Sequence, residues 1–231
     1  MRARDGLVRA RANLINTVRG LVKSAGGRIP SGSAERFHRV APEHVPEGLE
    51  PSVEQLLTLI ESMTRSVEAF DEQLDRLART KYPVTTHLSE VHGVGTLTAL
   101  AFVLTVGEPK RFKKSRSLGA YFGLVPRQQT SCSVEPELRI TKAGDALVRR
   151  LLVQSAQCNL RKRAADSDLR RHGLAIAERG GKKAKKRAVI AVARKIAVLL
   201  HRLWLTGEVY EPLRNSTAKH ATKAAEKRVA S

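Results

Sequence analysis

Along the first third of the chain, apolar residues recur at helical spacing. Val53, Leu56, Ile60, Met63, Val67, Phe70, Leu74 and Leu77 alternate steps of three and four residues. That spacing gathers one stripe on an α-helix and, when sustained, forms the seam of a coiled coil. Pro51-Ser52 stands at the start of the stripe and Tyr82-Pro83 beyond its end, as boundary residues do. A second stripe, Leu7, Leu14, Val18 and Leu21 with Ile15 and Val22 beside it, predicts an opening helix. Gly26–Pro46, which contains Gly, Pro and Ser, reads as a loop. Two helices joined this way make an antiparallel hairpin. Its remaining stripe can be covered by the rest of the chain or by a second copy, and the pattern leaves both open.

Beyond Pro83 the pattern shortens. Leu88–Val106 is apolar with a Gly-Val-Gly interruption, and Leu118–Leu124 predicts a short helix ending at Gly123. Thr130–Ile140 alternates loosely and predicts a small β-hairpin. Thr141 reads as the N-cap of a helix from about Ala143 to Arg163, with Asp145 in its first turn. Ser167 opens a shorter helix that stops near Gly180-Gly181, and Lys182–Leu205 is the last long one. The fold class is therefore mainly α. A helical hairpin or coiled coil (1–82) is followed by a helical domain with a small β-hairpin (83–212) and by a polar, basic tail (213–231) expected to be disordered.

Charge narrows the function. The 231 residues hold 42 Lys and Arg against 22 Asp and Glu, a net charge of +20. Such an excess repels itself in a compact chain unless a polyanion is near, and nucleic acid is the usual partner. Ribosome binding, membrane binding and simple solvation remain as alternatives. The acid is concentrated: from Glu43 to Asp75 there are nine acidic residues and one base, Arg65, so this segment is expected to face solvent or protein rather than DNA. Two cysteines, Cys132 and Cys158, make neither a disulfide framework nor a zinc pair. His92, His172 and His201 lack metal-ligand spacing. The longest apolar stretches are too short, or are broken by Arg194, Lys195 and Arg202, to span a bilayer. The reading is a cytoplasmic protein with no membrane partner.

Three places can carry chemistry. Gly93, Val94, Gly95 and Thr96 lie between apolar helical stretches and resemble the hairpin of a helix-hairpin-helix motif. There, glycines allow close backbone approach and a helix start offers free N–H groups to phosphate. An ordinary helix–helix turn fits the spacing equally, and the nearby Lys113, Lys114 and Arg116 tilt the reading toward phosphate. Lys182, Lys183, Lys185 and Lys186 load cations onto a helix N-terminus against its dipole, so an anion is expected there unless the face is simply solvated. Ser131 sits among Arg127, Arg139 and Lys142, cations suited to an attacked phosphate, although no base is evident. On spacing alone, such a serine is usually structural.

The ordered set of short motifs resembles the insertion sequence 110 family of transposases, the bridge-RNA-guided recombinases. The set comprises His92-Gly93-Val94-Gly95 with Thr98-Ala99, Arg111-Phe112-Lys113-Lys114-Ser115-Arg116, Gly123-Leu124-Val125-Pro126, Ser131, and Arg139-Ile140-Thr141-Lys142-Ala143-Gly144-Asp145 with Arg149. The resemblance continues through Arg187–Trp204 to Tyr210-Glu211-Pro212. It implies a DNA transposase in which Ser131, five positions after Pro126, is the nucleophile. Cys132 stands where the family usually has Gly, and Ser133 is the alternative. It also implies a coiled coil for homo-oligomerisation, a structured guide RNA, and an RNase H-like domain whose acidic tetrad binds magnesium. None of that tetrad is assignable here. The chain is thus expected to be a C-terminal part without a cofactor of its own, with Mg2+ belonging to the acidic domain. The second reading is a non-catalytic DNA- or RNA-binding remnant that co-assembles with a full-length transposase. A basic structural protein is the third.

Overall fold

The computed structural model describes residues 1–127 and 139–215, and the chain divides into two compact units, Met1–Leu77 and Ala78–Ser231. The described residues are mainly helical.

In the first unit, α1 (Arg2–Ser24) and α3 (Glu50–Lys81) carry the two apolar stripes. Arg4 holds Asp71 through two hydrogen bonds of 2.8 and 2.9 Å, and Arg11 donates to Thr64 Oγ1 at 3.2 Å. The residue numbers of each pair add to the same value, so the helices run antiparallel in one register, as the hairpin reading requires. Val18, Val22, Val53, Leu57 and Ile60 fill the seam. The closed stripe on α3 is Val53, Leu57, Ile60, Thr64 and Val67, whereas Leu56, Met63 and Phe70 are half-buried. The acidic segment is not wholly turned to solvent, since Asp71 pairs with Arg4 of α1.

The segment read as a plain loop is packed. α2 (Phe37–Val40) and a 3-10 turn at Pro42–His44 bring Ile29, Phe37 and Ala41 into the hairpin's core. Gly27 makes this possible: a Cβ there would lie 2.8 Å from Val22 Cγ1 and 2.9 Å from Pro46 Cγ. Spacing could not show it, because one apolar residue per turn of an irregular segment has no period.

The second unit is built around α9 (Gly181–Thr206), against which α6 (Ser117–Tyr121), α7 (Ala146–Asn159) and α8 (Asp168–Ala177) pack. α4 (Val84–Leu88) leads through a turn to α5 (Thr96–Val106). α5 buries Ala99, Leu100, Ala101, Phe102 and Val103 on nearly all sides, as a helix enclosed by others must. Phe102 packs on Phe122 at 5.6 Å and on Trp204 at 6.4 Å between ring centres. Gly173 lets α8 approach α9, because a Cβ would meet Val192 Cγ2 at 2.6 Å.

Some boundaries differ from the sequence reading: α6 ends at Tyr121 rather than Gly123, and α7 ends at Asn159 rather than near Arg163 and starts later than expected. α7 is capped by Asp145, whose Oδ1 accepts from the N–H groups of Leu147 and Val148 at 2.8 and 3.0 Å. Thr141 is not the cap. Lys142 and Gly144 have φ of 58° and 72°, left-handed values that a right-handed helix cannot contain, so the helix begins only after them. The expected β-hairpin, Thr130–Ile140, lies outside the described residues except for 139 and 140, and Ser131 lies outside them; an antiparallel bridge joins Pro126 to Ile140. Of the expected tail, 213–215 are described, and Asn215 N–H donates to Asp168 Oδ2 at 2.7 Å. The remaining 216–231 lie outside.

Candidate nucleic-acid interface

Two turns lock together in the second unit. A Cβ on Gly123 would lie 2.3 Å from Ala143 N, and one on Gly144 would lie 2.0 Å from Tyr121 O. Neither position therefore tolerates a side chain, and both adopt positive φ. Thr141 N–H donates to Val125 O at 2.9 Å, Lys142 N–H to Gly123 O at 3.2 Å, and Arg127 N–H to Arg139 O at 3.0 Å. Arg149 closes the lock, donating to the carbonyls of Ala143 (2.7 Å) and Phe122 (3.3 Å). Arg127, Arg139 and Lys142 thus share the base of the 128–138 segment with their side chains exposed, while Arg149 is half-buried and holds backbone. Lys142 has the one positive φ among described residues other than glycine, and such strain persists only where surrounding contacts hold it.

A second group is the turn at 109–116. His201 is fully buried on α9, with Nε2 2.8 Å from Pro109 O and Nδ1 2.9 Å from Ser115 Oγ. A carbonyl only accepts, so Nε2 carries a proton and donates to Pro109 O, while Nδ1 pairs with the Ser115 hydroxyl. Phe112 packs edge-on to this ring and to Tyr121. Arg111 lies over Phe112 and Tyr121 at 4.8 and 5.2 Å and donates to Val106 O at the end of α5. Pinned this way, the turn leaves Lys113, Lys114 and Arg116 exposed. Local sequence carries no signal of the His201 contact, whose partners stand 86 and 92 positions away.

The glycine pair before α5 has two different causes. Gly93 (φ 77°) packs on α7, where a Cβ would lie 2.7 Å from Ser155 O and 2.8 Å from Asn159 Nδ2. Asn159 in turn donates to His92 O at 2.6 Å. Gly95 is the N-cap of α5 with open space around it. Val94 is buried and Thr96 begins the helix. Lys182, Lys183, Lys185 and Lys186 are exposed on the first turns of α9, around the buried Ala184. Among the described residues no three His, Cys, Asp or Glu side chains gather where a metal could be held. Cys158 is free and half-buried. No helix among the described residues is long and apolar enough to cross a membrane.

These features define a helical domain with an interlocked glycine turn and several exposed groups of cations. Residues 85–171, which contain the interlock and the turn at 109–116, match the Transposase IS116/IS110/IS902 family. The chain carries a domain of that transposase family. It is 34% identical over 218 residues to the transposase for insertion sequence element IS1111A of Coxiella burnetii, covering 91% of this chain and 58% of that protein. It is also 32% identical over 168 residues to the transposase for insertion sequence element IS1328 of Yersinia enterocolitica, covering 70% and 49%. A probable family 20 transposase of Pseudomonas aeruginosa is 28% identical over 176 residues, covering 73% and 52%. The chain therefore spans about half the length of these curated relatives.

Proposed function

We propose that this chain binds DNA and takes part in insertion-sequence transposition by strand cleavage and exchange, with Ser131 as the nucleophile. The observation that carries the reading is the interlock. It brings Arg127, Arg139 and Lys142 to the base of the segment that contains Ser131, where cations can meet the charge that grows on an attacked phosphate. The exposed N-terminus of α5 at Gly95, together with Lys113, Lys114 and Arg116, supplies further contacts to the backbone of the duplex. Lys182, Lys183, Lys185 and Lys186 extend that surface.

A serine also needs its proton removed, and among the described residues no three His, Cys, Asp or Glu side chains gather where magnesium could be held. We therefore expect no covalent DNA adduct from this chain by itself. With the family's acidic domain supplied in trans, together with magnesium and a structured guide RNA, an adduct is expected that Ser131→Ala abolishes. A denaturing gel of labelled DNA reads both outcomes. An adduct from the chain alone, or one that survives Ser131→Ala, overturns this reading, and the second result moves the search to Ser133. The half-buried Leu56, Met63 and Phe70 of α3 support homo-oligomerisation through that helix. A non-catalytic remnant that co-assembles with a full-length transposase is the second reading.

A further inference from the structure

A cavity of about 510 Å3 lies between α8, α9 and the segment 208–215. That segment is bound back to α8, where Asp168 N–H donates to Pro212 O at 2.7 Å. The wall is apolar, with Leu169, Val198 and Leu203 among its residues. Arg116, Arg194 and Lys195 also line it. Arg194 lies across α6 because residue 119 is glycine: a Cβ there would be 2.9 Å from Arg194 Cγ and Nε.

Of the three acids in the lining, Glu211 stands near Arg214 and the other two are hydrogen-bonded. Glu208 is paired with Arg202 at 3.2 Å and with Arg214, and Asp168 accepts from Asn215 N–H. Arg116, Arg194 and Lys195 have no carboxylate partner among the described residues. The lining thus combines apolar side chains with three cations that have no carboxylate partner among the described residues. A bare phosphate would leave the wall empty. A duplex cannot enter a space that falls within the usual 300–1,000 Å3 range for one small ligand. A nucleotide out of the base stack has the matching shape and chemistry, with a flat apolar base joined to an anionic phosphate.

We propose that this cavity holds one unpaired nucleotide of a DNA strand, its base against Leu169, Val198 and Leu203 and its phosphate on Arg116, Arg194 and Lys195. The inference rests on the DNA-binding reading above and adds a structural preference to it. His172 at the same cavity is biased toward the neutral imidazole by burial and by the Lys195 charge, so the phosphate charge is met by the arginines and the lysine rather than by this ring.

The test uses the full chain and two labelled duplexes that differ by one unpaired adenosine in the middle of one strand, read by fluorescence anisotropy. The unpaired nucleotide should tighten binding about tenfold, in line with the stacking of one base. Val198→Trp, which fills the wall without changing charge, should bring the two affinities together and leave that for the paired duplex unchanged. Arg194→Ala, at an exposed position, should shrink the same ratio and serves as the test if Val198→Trp does not fold. Equal binding of the two duplexes by the unmodified chain overturns the cavity proposal and leaves DNA binding standing. A preference that survives the substitutions also overturns it. Failure to bind either duplex overturns both readings.

Discussion

Arg11 shows how a single residue can hold a unit together. Its side chain is 5% exposed and donates to Thr64 and to Glu35. The Glu35 carboxyl is held below its usual range by its own backbone N–H, then by the Ser33 hydroxyl and the Arg11 guanidinium. A depressed carboxyl contributes stability that is present above its unfolded-state value, near 4.5, and lost as pH falls through the lower folded-state value. Glu35→Gln should therefore cost about 1 kcal/mol at neutral pH, a modest figure because Glu35 is 57% exposed and solvent screens the pair. Urea unfolding should show that difference closing in acid. His201 is the second such residue. His201→Phe keeps the ring but strands the Pro109 carbonyl and the Ser115 hydroxyl, at a cost of about 2 kcal/mol in thermal unfolding. Neither contact was visible in sequence. The partners lie far along the chain, and an arginine or histidine on a helix face looks the same whether it meets water or a buried carbonyl.

At the scale of elements, the two glycines before α5 separate packing from binding. Gly93→Ala adds a Cβ against Ser155 O and Asn159 Nδ2 at positive φ, and should destabilise the domain by about 2 kcal/mol or more. Gly95→Asp enters open space and supplies a favoured N-cap, so stability should hold or rise. Its negative charge should nonetheless lower DNA affinity if α5 meets a phosphate, and anisotropy alongside a melting curve reads the two effects separately. Helix α3 gives the parallel case. Ile60 is fully buried against the partner helix of its own hairpin, so Ile60→Asp should unfold the first unit and says nothing of assembly. Leu56→Glu with Met63→Glu, at half-buried positions, should keep the hairpin and dissociate an oligomer in sedimentation. An unchanged sedimentation coefficient from an oligomeric parent would remove α3 from the interface.

For the whole molecule, the net charge of +20 makes salt the decisive variable. Each neutralised phosphate releases condensed counterions, so affinity for duplex DNA should fall roughly as a power law in salt. With six or so contacts the loss from 50 to 200 mM is about a thousandfold. Changing Lys182, Lys183, Lys185 and Lys186 together to Gln should flatten the slope nearly equally for unrelated sequences, as expected of cations that read backbone. A slope indifferent to this change would show that these lysines are a solvated face only.

The mainly helical class, the antiparallel hairpin and the starts of α8 and α9 were legible along the chain, because helical period, caps and glycine stops are local properties of neighbouring residues. The ordered motifs were legible too, and they led to the transposase family that residues 85–171 match. Tertiary structure decided the rest. It showed that Gly123 and Gly144 are required by each other, that Lys142 turns left-handed and pushes the start of α7 to Asp145, and that Gly26–Pro46 contributes to a core. It also brought Arg116, Arg194 and Lys195 to one cavity from two elements about 80 positions apart. Such groupings depend on which surfaces the folded backbone brings within a few ångströms, and spacing along the chain carries no record of that.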